Sequence, residues 1–231
     1  MRYVKFLQDH DADFSDRTVH NIFQAANTLL RKHGINDAGP ILRELGYAPA
    51  KVRVYSEDEM RKFFAACEGE DEELPFKLLL HSGMREDEFA HAEWGDLDAK
   101  ISVVHIQPKP HRGFRLKSKR NMGGEVGDRY VPIEPKLTKR LVARMQKLGA
   151  KPGDLMFPNS LGSSEGHLLR KCKVIAGRAK LSGKWTLHSW RKTFATRLHD
   201  AGVPVGTIMV YRGLKADKPQ PAKHAAFAAY V

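Results

Sequence analysis

The chain has 231 residues, 42% of them hydrophobic, and its longest apolar runs, such as FKLLL, are too short to cross a bilayer. Lysine and arginine number 39 against 27 acidic residues, so the net charge is +12. This excess makes a polyanion the leading candidate partner, and the alternative is a basic protein that has no such partner. The two cysteines, Cys67 and Cys172, are too few for a disulfide framework and form no Cys-x-x-Cys pair, so we expect buried thiols in a reducing compartment.

The first predicted helix covers residues 16–33, where apolar side chains recur at helical spacing. A serine and an aspartate at its start can cap it, and Gly34 can end it. Residues 34–54 carry glycine and proline at both ends, which is typical of the tail of a small helical unit followed by a linker. We therefore predict a small helical segment and linker in residues 1–50 and a main domain in residues 51–231.

The main domain is predicted to be mostly helical, because apolar side chains recur at helical spacing and several segments carry end signals. One such signal is the capping box of Ser56 and Glu59. The helices are predicted after Ser56, at residues 73–82, directly after Gly83, at residues 136–149, and at about 163–180 and 187–201.

Between the third and fourth of these helices, apolar residues recur at every second position instead of at helical spacing. Three short strands are predicted in ISVVHIQP (101–108), HRGFRLKS (111–118) and DRYVPIEP (128–135), and the last two are joined by a turn rich in glycine and charge. The order of elements predicts an α+β domain, mainly α, with helices around a small three-stranded antiparallel sheet.

The helix at 187–201 carries a polar pair at its start. In TLHSWRKTFATRLHDAG (186–202), His188 and Arg191 lie three residues apart, and neither lies in the middle of the apolar stripe. They can face one ligand near the helix N-terminus, where anions are favoured. Taken alone the pair is a weak signal, because a solvated helical face explains it more simply.

Two further basic residues stand near turns. In HSGMREDEF, Gly83 can close one helix, and Arg85 then stands in the first turn of the next, with Glu88 placed to hold its guanidinium. Lys117, with Lys119 as an equally basic neighbour, lies in a predicted hairpin, from which a lysine can enter a groove or protonate a leaving oxygen. Local sequence equally allows a surface ion pair for Arg85 and an edge-strand lysine at 117.

Taken in order, these segments resemble the catalytic domain of the tyrosine recombinase (phage integrase) family over about residues 55–213. The matching features are a Gly-hydrophobic-Arg turn followed by an acid and WGDLD, a lysine before RYVPI, and a His-x-x-Arg helix that continues Thr-Phe-Ala-Thr. Residues 15–50 resemble the last part of the family's helical, SAM-like core-binding domain. The resemblance implies an integrase-type catalytic domain in residues 51–231, preceded by a partial core-binding segment and linker in residues 1–50.

The resemblance also implies roles for individual residues. Arg85 and Arg191 would clamp the non-bridging oxygens of a scissile DNA phosphate, and Glu88 would support Arg85. Lys117 would be the general acid for the 5′-hydroxyl leaving group. His188 would assist proton transfer or donate a hydrogen bond to the phosphate.

A tyrosine would attack phosphorus and form a covalent 3′-phosphotyrosine, without a cofactor, a metal or ATP. The C-terminal segment departs from the family pattern. Gly213 fits, but Leu214 stands where histidine or tryptophan is expected, and leucine cannot donate a hydrogen bond to phosphate. Tyr230, on the predicted helix AKHAAFAAY, is the nucleophile candidate, whereas Tyr211 precedes the glycine and is predicted to be a packing residue.

The predicted function is therefore that of a site-specific DNA recombinase. Its partners would be double-stranded DNA and further copies of the chain in a tetrameric synapse, in the cytoplasm, with no membrane and no small-molecule substrate. The alternative is an impaired integrase remnant that binds DNA without cleaving it. An RNA-binding or other basic helical protein would require the motif order to be a coincidence, and a type IB topoisomerase fits the short chain less well.

Overall fold

The structure is a computed structural model that describes residues 14–35, 53–116 and 127–214. Lys117 and Tyr230, two of the residues predicted for catalysis, lie outside these ranges. None of the helices in the described ranges is long and apolar enough to cross a membrane.

The chain divides into two compact units, Met1–Lys51 and Val52–Val231. In the first unit the described element is α1 (Asp16–Lys32), which coincides with the first predicted helix. Its start is capped by Ser15, whose hydroxyl accepts a hydrogen bond from the backbone N–H of Thr18 at 3.3 Å.

The described part of the second unit is mostly helical. Its α-helices are α2 (Glu57–Ala65), α3 (Glu70–Ser82), α4 (Glu86–Ala90), α5 (Pro135–Leu148), α6 (Leu168–Arg178), α7 (Leu187–Asp200) and α8 (Val205–Tyr211). Local sequence explains where several of them begin. Ser56 and Glu59 form the predicted capping box of α2, and the Thr186 hydroxyl caps α7 by accepting the backbone N–H of Ser189 at 3.1 Å.

A small antiparallel sheet interrupts the helices. Its strands, in spatial order, are β1 (Leu97–Asp98), β2 (Val103–Ile106) and β3 (Arg129–Pro132). In the central strand, Val104 pairs with Leu97 on one side and with Val131 on the other. The helical majority and the three-stranded sheet confirm the predicted fold class, α+β and mainly α.

One of the predicted strands is wrong. Apart from one isolated bridge residue, residues 111–116 of HRGFRLKS form no strand, and Pro110–Arg112 is a turn of 3₁₀ helix. The physical reason is Lys109, three residues after the end of β2. Its buried ammonium lies 2.5 Å from the Asp96 carboxylate, and this ion pair holds the chain beside Asp96, so that it does not continue along the sheet. The third strand is instead β1, in the WGDLD segment.

Helix α7 is central to the hydrophobic core of the second unit. It packs against α3, α6 and α8, and its predicted apolar stripe is buried at Leu187, Trp190, Phe194 and Leu198. The rings of Tyr55 and Phe63 lie with their centroids 4.9 and 5.0 Å from that of Trp190. Because the apolar stripe is fixed in this way, the polar residues on the other faces of α7 have fixed positions as well.

Two helices end at glycines whose left-handed backbone conformations are nearly identical. Gly83 ends α3 with φ 60° and ψ 25°, and Gly149 ends α5 with φ 60° and ψ 26°. They differ in their surroundings: a Cβ at position 83 would lie 2.3 Å from Cδ1 of Phe194, whereas a Cβ at position 149 would have no atom within 4 Å. Position 83 therefore requires glycine for packing as well as for backbone conformation.

We expect Gly83→Ala to reduce the free energy of unfolding by roughly 2–5 kcal/mol, because the buried ring of Phe194 must shift in addition to the backbone strain. The matched control Gly149→Ala carries the strain alone and should cost about 1–2 kcal/mol. Urea unfolding at equilibrium measures both values. Equal losses in the two variants would contradict a packing constraint at position 83.

Candidate active site

The turn between α3 and α4 positions Arg85. After Gly83, Arg85 has an extended backbone and stands directly before the first residue of α4. Glu88 accepts two hydrogen bonds from it, one from the backbone N–H to Oε2 at 2.8 Å and one from Nη1 to Oε1 at 2.7 Å. The predicted contact between Arg85 and Glu88 is therefore present. It fixes a guanidinium whose side chain remains 26% exposed.

A second arginine, Arg129, holds the same carboxylate from the other side. Its Nη2 lies 2.6 Å from Glu88 Oε2 and its Nη1 lies 3.2 Å from Oε1, with the two side chains 1% and 2% exposed. Its Nε donates to the carbonyl oxygen of Tyr211 at 2.7 Å. A Cβ at Gly213 would lie 2.9 Å from Nη1 of Arg129, so the turn after α8 packs directly on this guanidinium.

Arg191 of α7 is buried beside this pair. Its guanidinium donates to the carbonyl oxygens of Gly83 and Arg212, and its Nη1 lies 3.9 Å from Oε2 of Glu88. Both carbonyls follow helix C-termini, where a positive charge is favoured. Burial and then the charge of Arg85 lower the pKa of Arg191 to about 9, which leaves it charged at neutral pH.

His188 lies three residues before Arg191 in α7 and is exposed. Burial of part of the ring, followed by the charges of Lys192 and Arg191, lowers the pKa of His188 below its usual 6.5. At neutral pH the imidazole is therefore uncharged, with one nitrogen able to donate a proton and the other able to accept one.

An open cavity of about 420 Å³ brings these side chains together. It is lined by Met84, Arg85, Glu86, Asp87, Leu187, His188, Arg191, Arg212 and Leu214. Three of the predicted site residues, Arg85, His188 and Arg191, thus face one space, and Glu88 lies behind it. Lys117 and Tyr230 lie outside the described residues, so their places in the predicted site stay predictions.

The charge balance around the cavity favours an anion. Glu88 is buried among three guanidinium groups. Burial opposes ionisation of its carboxyl, but the hydrogen bonds and charge of Arg129, followed by those of Arg85, outweigh burial and lower the pKa of Glu88. One carboxylate cannot neutralise Arg85, Arg129 and Arg191, and Arg212 adds a further charge. The exposed acids Glu86 and Asp87 at the lining offset part of this excess. Fixed guanidinium donors of this kind suit a ligand with several anionic oxygens.

Sequence reasoning missed two of these arginines. Arg129 begins β3 in RYVPI, and Arg212 follows α8 in VYRGL. Two signals pointed to Arg129: it opens the family segment RYVPI, and it is a charged residue at the start of a strand whose other members are mostly apolar. For Arg212 the signal was an arginine immediately before the family glycine.

Other reactive groups in the described residues are poorly suited to catalysis. Burial raises the pKa of the Cys67 thiol to about 12 and that of the Cys172 thiol to about 11, so both are protonated and weakly nucleophilic at neutral pH. Over the described ranges, no group of three or more His, Cys, Asp or Glu side chains is arranged to hold a metal ion.

Known proteins resemble this chain in both sequence and fold. A tyrosine recombinase XerC-like protein of Caldanaerobacter subterraneus subsp. tengcongensis is 25% identical over 187 residues, covering 68% of this chain and 46% of the relative. A second relative, from Sinorhizobium fredii, is matched over 48% of its length, so the chain spans about half the length of the relatives it matches.

Solved structures show the same fold. The Tn1549 transposon integrase, in complex with a circular intermediate DNA, matches with a TM-score of 0.71 at 17% identity, covering 99% of this chain and 78% of that one. A lambda integrase dimer bound to a COC′ core site matches with a TM-score of 0.64 at 16% identity, covering 97% of this chain and 62% of that one. The sequence model of the phage integrase family matches residues 53–218, which is most of the chain. The chain therefore belongs to the tyrosine recombinase, or phage integrase, family.

Proposed function

We propose that this chain is a site-specific DNA recombinase that cleaves and rejoins DNA through a covalent 3′-phosphotyrosine, without metal or ATP. The observation that carries the proposal is the convergence of Arg85, His188 and Arg191 on one open cavity, although the first is about a hundred positions from the other two. Membership of the integrase family supports the reaction class.

The proposed substrate is double-stranded DNA. The net charge of +12 favours a polyanion, because neutralising phosphates releases condensed counterions. Two of the similar structures, those of the Tn1549 transposon integrase and the lambda integrase, are complexes with DNA. Self-association into a four-protomer synapse on DNA is part of the proposal.

In the proposed reaction, Arg85 and Arg191 bind the two non-bridging oxygens of the scissile phosphate. Negative charge on these oxygens is compensated as the phosphorus becomes five-coordinate, and guanidinium groups that are already fixed need little rearrangement at that moment. Glu88 supports this role as a positioning residue, because it fixes Arg85 through two hydrogen bonds.

Proton transfer completes the reaction. The hydroxyl oxygen of Tyr230 attacks phosphorus and its proton passes to the neutral imidazole of His188. The bond from phosphorus to the 5′ oxygen breaks, and Lys117 gives this oxygen a proton. Rejoining reverses these steps with the 5′-hydroxyl of another strand, and the phosphotyrosine conserves the energy of the broken bond.

The second candidate function is that of a DNA-binding integrase remnant that does not cleave. It is favoured by Leu214, which lines the cavity where the family has a hydrogen-bond donor and whose side chain offers none. In this case the arginines would bind a phosphate without activating it.

A nicked suicide substrate separates the two functions, because loss of the short 5′ fragment traps any covalent complex. We expect the unmutated chain to form a protein–DNA adduct that resists denaturation and is absent in Tyr230→Phe. The matched control is Tyr130→Phe, a tyrosine that is 62% exposed on β3 and should leave the adduct unchanged. Binding without an adduct in the unmutated chain would support the remnant, and an adduct in Tyr230→Phe would identify another nucleophile.

Removing Arg85 should affect chemistry more than binding. We expect Arg85→Ala to slow single-turnover cleavage about 10²–10³-fold, the usual effect of losing one donor to a developing charge, while DNA affinity falls less than tenfold. Glu88 keeps its partner Arg129, so the buried pair survives. The control Arg61→Ala removes an exposed arginine paired with Asp58. Equal effects of the two substitutions would refute the role of Arg85.

The pH dependence tests His188. With DNA below saturation, the cleavage rate reports groups in the free protein, where the pKa of His188 lies below 6.5. A proton acceptor must be neutral, so we expect the rate to be constant at neutral pH and above, and to fall as the pH drops through the lowered pKa of His188. The ratio of the unmutated rate to that of His188→Gln should fall over the same range. A ratio that stays constant or rises toward pH 5 would make His188 a hydrogen-bond donor to phosphate instead.

A further inference from the structure

Arg212 lines the same cavity as Arg85, His188 and Arg191, but it is bonded differently from the other arginines. Arg85 and Arg129 are paired with Glu88. Over the described residues no carboxylate pairs with Arg212, and its buried Nε has no hydrogen-bond partner. Burial and then the charge of Arg85 lower the pKa of Arg212, which means that the surroundings of this guanidinium disfavour its charged form. A guanidinium in this situation is stabilised by an anion that enters the cavity.

The backbone of Arg212 is fixed by the other arginines of the site. Its carbonyl oxygen accepts a hydrogen bond from Arg191, and the preceding carbonyl, of Tyr211, accepts one from Arg129. Gly213 follows in the left-handed conformation, with φ 57°, against Arg129. These contacts hold the base of the Arg212 side chain in a constant position relative to Arg85 and Arg191.

Two positions further along the chain, Leu214 also lines the cavity. Where the family has a histidine or a tryptophan, leucine leaves the phosphate without a side-chain donor from position 214. Arg212 stands on the same turn, at the end of α8, and brings several N–H donors into the same space.

We propose that Arg212 is a third phosphate-binding arginine, which supplies to the scissile phosphate the hydrogen bonds that Leu214 cannot give. This inference rests on the proposed function, since the ligand is the DNA phosphate of that same site. A simpler explanation is that Arg212 stabilises the C-terminal end of α8 by its charge. That explanation requires only a positive charge, so lysine would replace arginine without loss. It also does not account for the buried, unbonded Nε of Arg212, because a fully solvated side chain would stabilise the helix end equally well.

The first test measures binding and needs no cleavage. The probe is an intact duplex that carries the recombination site, and its affinity is measured over a range of salt concentrations. We expect Arg212→Ala to reduce the slope of log affinity against log salt by about one, as the loss of one phosphate contact does. The control Arg61→Ala removes an arginine whose charge Asp58 already neutralises. If the slope of Arg212→Ala matches that of the control, Arg212 does not bind phosphate and the inference is overturned.

The second test uses the nicked suicide substrate in a double-mutant cycle. Arg212→Ala should slow covalent complex formation about 10²-fold, and Arg212→Lys should restore only a small part of this loss because the planar fork is missing. In a Leu214→His background, which restores the donor, Arg212→Ala should cost less than about tenfold. Full activity of Arg212→Lys, or an equal cost of Arg212→Ala in both backgrounds, would support a helix-end role and overturn the inference.

The two tests distinguish the failure of this inference from the failure of the proposed function. If the unmutated chain forms no adduct, but Arg212→Ala lowers the slope of log affinity against log salt by one, the recombinase function is contradicted and the phosphate contact of Arg212 is supported. If the unmutated chain forms an adduct, and Arg212→Ala changes neither the salt slope nor the rate of adduct formation, the recombinase function is supported and the phosphate contact of Arg212 is contradicted. Thermal unfolding of each variant shows whether a lost activity reflects a lost fold.

Discussion

The carboxylate of Glu88 is the group on which the site depends. It is 2% exposed and lies between the guanidinium groups of Arg85 and Arg129, with Arg191 3.9 Å away. Arg85, Arg129 and Arg191 are buried or half-buried and repel one another, and Glu88 is the carboxylate whose negative charge offsets this repulsion. The same contacts join the start of α4 to the start of β3. One ion-pair network therefore builds the fold and prepares the anion site at the same time.

Helix ends provide the second set of anchors. Arg191 donates to carbonyl oxygens that follow α3 and α8, and Arg129 donates to the last carbonyl of α8. Carbonyls at helix C-termini lack partners within the helix, so these bonds satisfy groups that would otherwise be buried without one. The donors that remain on each guanidinium are oriented before any ligand arrives. Such fixed orientation is what electrostatic stabilisation of a transition state requires, since donors that must turn toward the charge lose part of their effect.

Local patterns predicted the parts of the fold that local contacts determine. The apolar stripe of α7, the capping box at Ser56 and the Arg85–Glu88 contact at three-residue spacing are all present, because both partners of each lie within one or two helical turns. Arg129 was missed because its partner Glu88 is 41 positions away, and no local pattern records that pairing. The alternating segment predicted a strand that residues 111–116 do not form, because the buried Lys109 just before them ends the sheet. Long-range ion pairs thus account for both the missed residue and the misplaced strand.

The turn after α8 is where the family pattern breaks, although its backbone accepts hydrogen bonds from two arginines of the site. A leucine at 214 removes one donor, but the backbone of the turn is still held by Arg129 and Arg191, and Gly213 still fits against the first of these. Gly213 has φ 57° and fits against Arg129, and Arg212 lines the cavity with an unbonded Nε. This geometry suits an anion with several oxygens, which is the basis of the proposed phosphate site. The choice between a recombinase and a remnant therefore depends on the nucleophile, for which Tyr230 is the candidate, and on whether the cavity activates a phosphate with leucine at position 214.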